Sequence, residues 1–271
     1  MKPTLKSKLV VLCGFLLLQS SCTQVAITGR KQLNLVPDFL MHSLSFQSYG
    51  EFLSENKLSD NATQTQMVKR LGSRIQNAVE QYCAENNLSD RLEGYEWEFN
   101  LIEDKSLNAW CMPGGKVVVY TGLLPVTQTE AGLAVVMGHE IAHAVARHGA
   151  ERMTQGLIVE MGGMALSQAL AKSPEQTRNL FMRSYGIGTE VGVLLPYSRV
   201  HEKEADHLGL IFMAMAGYNP NEAVGFWERM VASKKGQAEP PEILSTHPAD
   251  STRIRNIKEL IPEAMKYYRQ R

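Results

Sequence analysis

The stretch GHEIAHAVARHGAERM, residues 138–153, decides how this chain is read, because it places His139, Glu140, His143, His148 and Glu151 on one run with helical character. Its first half has the form HExxH. At about 100° per residue, positions four apart share a helix face, so His139 and His143 can take neighbouring corners of a tetrahedral zinc site. Glu140 lies beside them and can serve as the base that takes a proton from a metal-activated water. The apolar AGLAVVMG that precedes the motif, residues 131–138, reads as a buried helix, with Thr129 as its N-cap. The expectation is one continuous helix from about Glu130 to Met153. On it His148 lies about 180° from His139 and about 140° from His143, which removes it from the ligand set. His148 and Arg147 then pack behind the ligands, and Glu151 and Arg152 form a solvated end. The bland alternative is an amphipathic helix with histidines facing water.

Two histidines do not complete a metal shell, so the missing ligand is sought elsewhere. SRVHEKEADHLG, residues 198–209, sets Glu202 and Asp206 four apart on one face, whereas Glu204 lies about 200° from Glu202 and points away. Glu202 is expected to bind the metal, and Asp206 to accept the free N–H of a ligand histidine and so fix its tautomer. His201 and His207 are possible ligands that share this face less well. Taken alone, the segment would read as a salt-bridged surface helix; HExxH upstream changes its weight.

Composition restricts the rest. Lys+Arg and Asp+Glu are equal at 28 each in 271 residues, so no net field points to nucleic acid or to an acidic partner. The start is more specific: Lys2, Lys6 and Lys8 precede the apolar run LVVLCGFLLL (Leu9 to Leu18) and then QSSC. The run is shorter than the ~20 residues a spanning helix needs and suits a secretory signal. It resembles a bacterial lipoprotein signal over residues 1–21, with Cys22 as the lipidated residue, although Gln19 stands where that pattern prefers leucine. A plain cleaved signal and an uncleaved anchor are the alternatives. In an exported protein Cys83 and Cys111 could pair or remain two buried thiols.

Residues 22–36 read as an N-terminal linker and 37–271 as the folded domain. An amphipathic stretch follows Pro37, and Met67, Leu71, Ile75, Val79 and Tyr82 recur at helical spacing. YEWEFNLI (Tyr95 to Ile102) alternates as a half-buried strand, and KVVVY (Lys116 to Tyr120) reads as a second one after the turn at Pro113-Gly114-Gly115. The apolar segments 156–170 and 187–195 read as buried or lid-forming helices. A helix over Ser198 to Ala216 stops at Gly217, another runs from Glu222 to Ser233, and a last helical region opens at Pro248 and breaks at Pro262. The fold class is α+β, mostly helical, with a small β-sheet beside the HExxH helix.

HEIAHAVARH, SRVHEKEAD and STHPADSTRI (Ser245 to Ile254) together resemble the HtpX and CAAX-prenyl-protease type of zinc metallopeptidase, peptidase family M48. NAWCMPGGKVVVYTGLL (Asn108 to Leu124) is similar to the segment that family sets before its active-site helix. VAITGRKQLNLVP (Val25 to Pro37) resembles the N-terminus of an Oma-like bacterial lipoprotein subgroup. The resemblance implies a gluzincin-type domain holding one Zn2+ per chain on His139, His143 and Glu202, with Glu140 as base and Asp206 behind a ligand. It implies a metalloendopeptidase of cell-envelope quality control acting on unfolded or damaged envelope proteins. Its place would be the outer membrane, held by a lipid anchor and facing the periplasm. Asn108 and Ala109 are candidates for pairing with an extended substrate, with Trp110 beside them or simply in the core. His247 or Arg253 could hydrogen-bond an oxyanion; His247 could instead occupy the open metal position, or merely open a helix. The rival reading is a zinc-binding chaperone or assembly factor of the envelope that cleaves little, against which Glu140 argues.

Overall fold

The computed structural model describes residues 22–25, 28–160, 174–185, 187, 198–233, 242–247 and 251–269. The signal-like run 1–21 and most of the two apolar segments at 161–173 and 188–197 lie outside them. The segment read as a linker carries an antiparallel pair, β1 (Cys22–Gln24) with β2 (Lys31–Leu33). The two are closed by a turn in which Gly29 N–H donates to Val25 O and Val25 N–H to Arg30 O.

Two helices follow. α1 (Asp38–Glu55) starts at Pro37, whose fixed φ suits a helix entry, and carries Asp38 in its first turn. α2 (Ala62–Glu85) is capped by the Asn61 side chain, which accepts from Gln64 N–H, and buries Leu71, Ile75, Val79 and Tyr82 as their spacing requires.

The sheet has the order β3-β5-β4: β3 (Glu98–Ile102) runs parallel to β5 (Lys116–Tyr120), and β4 (Ala109–Met112) is antiparallel to it. Gly114 and Gly115, both at positive φ, turn the chain from β4 into β5. The half-buried alternation expected from Tyr95 onward does not hold. The strand begins at Glu98, and Phe99 to Ile102 are all buried. The cause is that both faces are covered. Phe99, Leu101, Val117 and Val119 join the core that includes α2. Ile102, Trp110, Met112, Val118 and Tyr120 pack with Met41 and Tyr49 of α1. The polar Asn100 is accommodated because it donates to Tyr49 Oη at 2.9 Å.

α3 (Glu130–Val145) is capped by Thr129, whose hydroxyl accepts from Gly132 N–H, and every residue from Gly132 to Val145 is buried. It does not continue to Met153. Arg147 adopts φ +59 and the chain restarts as α4 (His148–Glu160). A left-handed non-glycine residue costs roughly 1–2 kcal/mol, offset here by the buried contacts that His148 gains and by the Arg147–Asp38 ion pair at 2.5 Å. After α5 (Pro174–Ser184) comes α6 (Arg199–Met215), capped by Ser198 and stopped by Gly217 at φ +85. α7 (Glu222–Ala232) and the short α8 (Glu242–Thr246) lead to α9 (Ser251–Ala264). α9 passes through Pro262 rather than breaking there; the proline forfeits its own bond to the Lys258 carbonyl, and only two helical residues follow it. Cys83 and Cys111 are buried free thiols. Among the described residues no helix is long and apolar enough to cross a membrane.

Candidate metal centre

α3 and α6 meet where each carries a glycine. A Cβ on Gly138 would stand 2.9 Å from Gly209 O, and one on Gly209 would stand 2.9 Å from His139 N. The backbones therefore touch one residue before His139, and the acidic face of α6 is brought onto the HExxH face.

His143 Nε2 lies 3.0 Å from His139 Nε2 and 3.3 Å from Glu202 Oε1; His139 Nε2 lies 3.5 Å from Glu202 Oε2. His247, just after α8, brings Nδ1 to 2.9 Å from Glu202 Oε1 and 3.2 Å from His139 Nε2. One donor atom from each of His139, His143, Glu202 and His247 lies within 4.8 Å of the other three, and all four residues are buried. Glu140 is buried beside them, Oε1 3.5 Å from His247 Nε2. Three imidazoles and a carboxylate converging on one point are a donor set that suits Zn2+.

The charges support that fit. Burial and Arg253 push His139 down, yet the carboxylates of Glu202 and Asp206 outweigh them and raise it to about 9. The acids thus call for positive charge between them, which a divalent cation supplies as well as a proton does. Burial holds His143 well below the usual histidine range. Burial also raises the Glu140 carboxyl, against the attraction of His247 and His139.

Behind the cluster, His139 Nδ1–H faces Asp206 Oδ1 at 3.0 Å, as the four-residue spacing of Glu202 and Asp206 anticipates. Arg253 grips that acid with a fork, Nε to Oδ2 at 2.9 Å and Nη2 to Oδ1 at 2.8 Å. Its Nη1 reaches Glu202 Oε2 at 2.6 Å, and its guanidinium stacks 3.6 Å over the Trp227 ring. Arg253, considered for an oxyanion, is here engaged with the two carboxylates.

His148 sits behind the other histidine, Nδ1 to Nδ1 of His143 at 3.0 Å, because the break at Arg147 turns it back. Its Nε2 faces Glu204 Oε2 at 3.0 Å. Glu204 does point away from Glu202, but into the protein. It accepts from Thr28 Oγ1 at 2.5 Å and from Arg30 Nε at 3.0 Å. The Arg30 Nη1 and Nη2 groups donate to Glu151 at 2.9 and 2.8 Å, and His201 Nε2 lies 3.1 Å from the same carboxylate. Glu151 and Arg152 are therefore buried rather than a solvated end, and Arg152 donates to Ser184 O at 2.7 Å. The continuous-helix assumption hid this, since α4 leaves in a new direction.

His207 is apart from the cluster, pairing with Glu263 at 3.0 Å. Ala109 opens β4, an outer strand of the sheet, and Asn108 stands just before it. The Asn108 side chain accepts from Ala109 N–H at 2.9 Å, and Trp110 is buried in the core. β4 packs against α3, the helix that carries Glu140, and burial, with the charge of Glu140 adding to it, raises the Cys111 thiol. Arg30 and Trp227 escaped the sequence reading, which also placed Glu151 and Glu204 away from the site. The available signal was Arg30 inside the VAITGRKQLNLVP stretch and Glu204 on the ligand helix itself.

A profile of peptidase family M48 matches residues 69–261. The chain belongs to peptidase family M48. Its similarity to mitochondrial metalloendopeptidase OMA1 of Schizosaccharomyces pombe is 35% identity over 89% of the chain and 66% of that protein. The human mitochondrial metalloendopeptidase OMA1 is 30% identical over 89% of the chain and 46% of its own length. The β-barrel assembly-enhancing protease of Escherichia coli is 30% identical over 58% of the chain and 33% of that protein. This M48 chain thus spans from 33% to 66% of the length of these relatives. The expected bacterial outer-membrane, periplasm-facing location is overturned. The relatives matching 89% of the chain are named mitochondrial enzymes, in a fission yeast and in animals. The basic and apolar start that suggested it falls outside the described residues.

Proposed function

We propose that this M48 chain is a zinc-dependent endopeptidase that hydrolyses peptide bonds of unfolded or damaged proteins by attack of water. One observation carries the reading: the donor atoms of His139, His143, Glu202 and His247 converge within 4.8 Å, with Glu140 buried alongside. His139, His143 and Glu202 would hold the ion. When bound, Zn2+ supplies Lewis acidity toward water and the scissile carbonyl. Glu140 takes the proton from the attacking water and delivers it to the departing amine, which leaves with one proton more while the carboxylate is regenerated. Asp206 and Arg253 hold His139 in the tautomer that turns Nε2 inward. Ala109, at the start of the outer strand β4, is where an extended substrate would pair, displacing the Asn108 side chain that holds its N–H, which favours unfolded chains. His247 fills the fourth corner and restrains activity, a reading favoured by its 2.9 Å approach to Glu202 and its nearness to Glu140.

The test is zinc content and chelator-sensitive cleavage of unfolded casein, for wild type and Glu140→Gln. The expected result is about one Zn2+ per chain in both, with cleavage reduced at least 10²-fold in the variant. A wild type that binds no zinc overturns the proposal. One that binds zinc but never cleaves favours a zinc-holding assembly factor.

A further inference from the structure

The second metal-binding histidine has its own support, which reaches from the ligand helix α6 to the N-terminal hairpin. Resting on the metal-centre reading above, we propose that Arg30, Glu204 and His148 form a relay that fixes the tautomer and ring plane of His143, so that the N-terminal hairpin is a structural component of the metal site.

The argument follows the protons. Glu204 receives donors from Thr28 Oγ1 at 2.5 Å and from Arg30 Nε at 3.0 Å and Nη2 at 3.0 Å, so its carboxylate acts only as an acceptor. The nitrogen 3.0 Å from it, His148 Nε2, therefore carries a hydrogen. His148 is fully buried, and neutral imidazole holds one N–H, so its Nδ1 is left with the lone pair. That lone pair lies 3.0 Å from His143 Nδ1 and can only accept. His143 must then carry its hydrogen on Nδ1, which leaves the Nε2 lone pair directed at Glu202 and His139. The opposite assignment would set N–H against N–H or strand two lone pairs inside the core.

The two histidines are thus served in parallel ways. His139 meets an acid directly, Asp206, backed by Arg253. His143 meets an acid through one intervening imidazole, Glu204 through His148, backed by Arg30. The ring of His148 is further held against His201, stacked at 4.5 Å between centroids. Arg30 is placed by the hairpin turn, its carbonyl accepting from Val25 N–H at 2.8 Å. It reaches Glu151 as well as Glu204, so one guanidinium ties the hairpin to both α4 and α6. These are positioning residues: none faces the donor cluster itself.

Two measurements on the full chain test the relay. First, Zn2+ affinity is determined by competition with a chromophoric chelator for wild type, Arg30→Ala, Arg30→Lys, Glu204→Gln and Glu151→Gln. Loss of such an outer partner typically costs about 10–100-fold in metal affinity, which is expected for Arg30→Ala and Glu204→Gln. Arg30→Lys should recover part of it, since a lysine keeps the charge but not the fork. Glu151→Gln breaks the other half of the Arg30 clamp and leaves the relay intact, so its affinity should match wild type. Equal losses in Glu151→Gln and Arg30→Ala would reduce Arg30 to a general clamp and overturn the relay. Second, two-bond 1H–15N correlation of the histidine rings in the zinc-loaded wild type should find His148 protonated on Nε2 alone. A proton on Nδ1 overturns the relay without any substitution, so misfolding of a variant cannot decide the matter. If wild type takes up no Zn2+, the metal-centre reading fails first. If it binds tightly while all four variants bind alike, the relay alone fails.

Discussion

Glu140 and His247 face each other across 3.5 Å, and the two side chains ask opposite things of the same space. Glu140 needs water and a substrate carbonyl at its carboxylate, whereas His247 Nδ1 fills the corner next to Glu202 and His139 through which both would enter. Replacing His247 by alanine empties that corner and leaves the other three donors in place. His247→Ala is expected to raise kcat/KM for unfolded casein about tenfold, equivalent to about 1.4 kcal/mol of restraint. Slower cleavage would assign His247 to stabilising the oxyanion instead. The residues carrying chemistry were mostly legible in the sequence, for a geometric reason. His139 with His143, and Glu202 with Asp206, are pairs four apart, and helical angle alone puts each pair on one face. His247 was visible as one candidate for the open metal position among other roles, and Arg253 was visible but not as the partner of two carboxylates. Nothing local to a His-Pro or to a helical arginine reveals that Glu202 lies 2.9 Å and 2.6 Å away.

At the scale of elements, the site exists because α3 and α6 pack with backbone against backbone. The glycines at 138 and 209 leave no room for even one methyl group, the nearest backbone atoms lying 2.9 Å from a built Cβ. Gly209→Ala should therefore force the helices apart, moving Glu202 and Asp206 away from His139. Overpacking of this kind costs about 1–3 kcal/mol. A lower melting temperature is expected together with weaker Zn2+ binding, checked by calorimetry and chelator competition. A variant that melts and binds like wild type would show that the helices can part without disturbing the site. Periodicity predicted both helices, and Thr129 and Ser198 marked their starts correctly. It could not predict the end of α3. Arg147 is neither glycine nor asparagine, so its left-handed conformation carries no local signature, and the apparent helix runs on through it in sequence. The same blindness affected β3, where alternation implied one wet face and helices from distant sequence cover both.

Across the whole molecule, the N-terminal hairpin is joined to the catalytic helices by charges that sequence separation conceals. Arg30 pairs with Glu151 at 2.8 Å and Glu204 at 3.0 Å, partners 121 and 174 residues away. No local pattern marks such a contact, which is why Glu151 read as a solvated helix end. Its titration gives the connection a measurable signature. Burial pushes the Glu151 carboxyl up, but the hydrogen bonds from His201 and Arg30 outweigh this and hold it down at about 2, against an ordinary 4.5. A group whose folded value is depressed stabilises the fold above its unfolded value and loses that contribution as pH falls toward the folded one. Stability tied to Glu151 is therefore complete above about pH 4.5 and is withdrawn between 4.5 and 2. Glu151→Gln removes the titrating group. Its unfolding free energy should fall less steeply over that window, by up to about one proton in slope, while lying below wild type at pH 7 where the ionised clamp is lost. Chemical denaturation at a series of pH values between 2 and 7 measures both. Parallel acid limbs for the two proteins would show that the hairpin clamp contributes nothing to folding through this carboxylate.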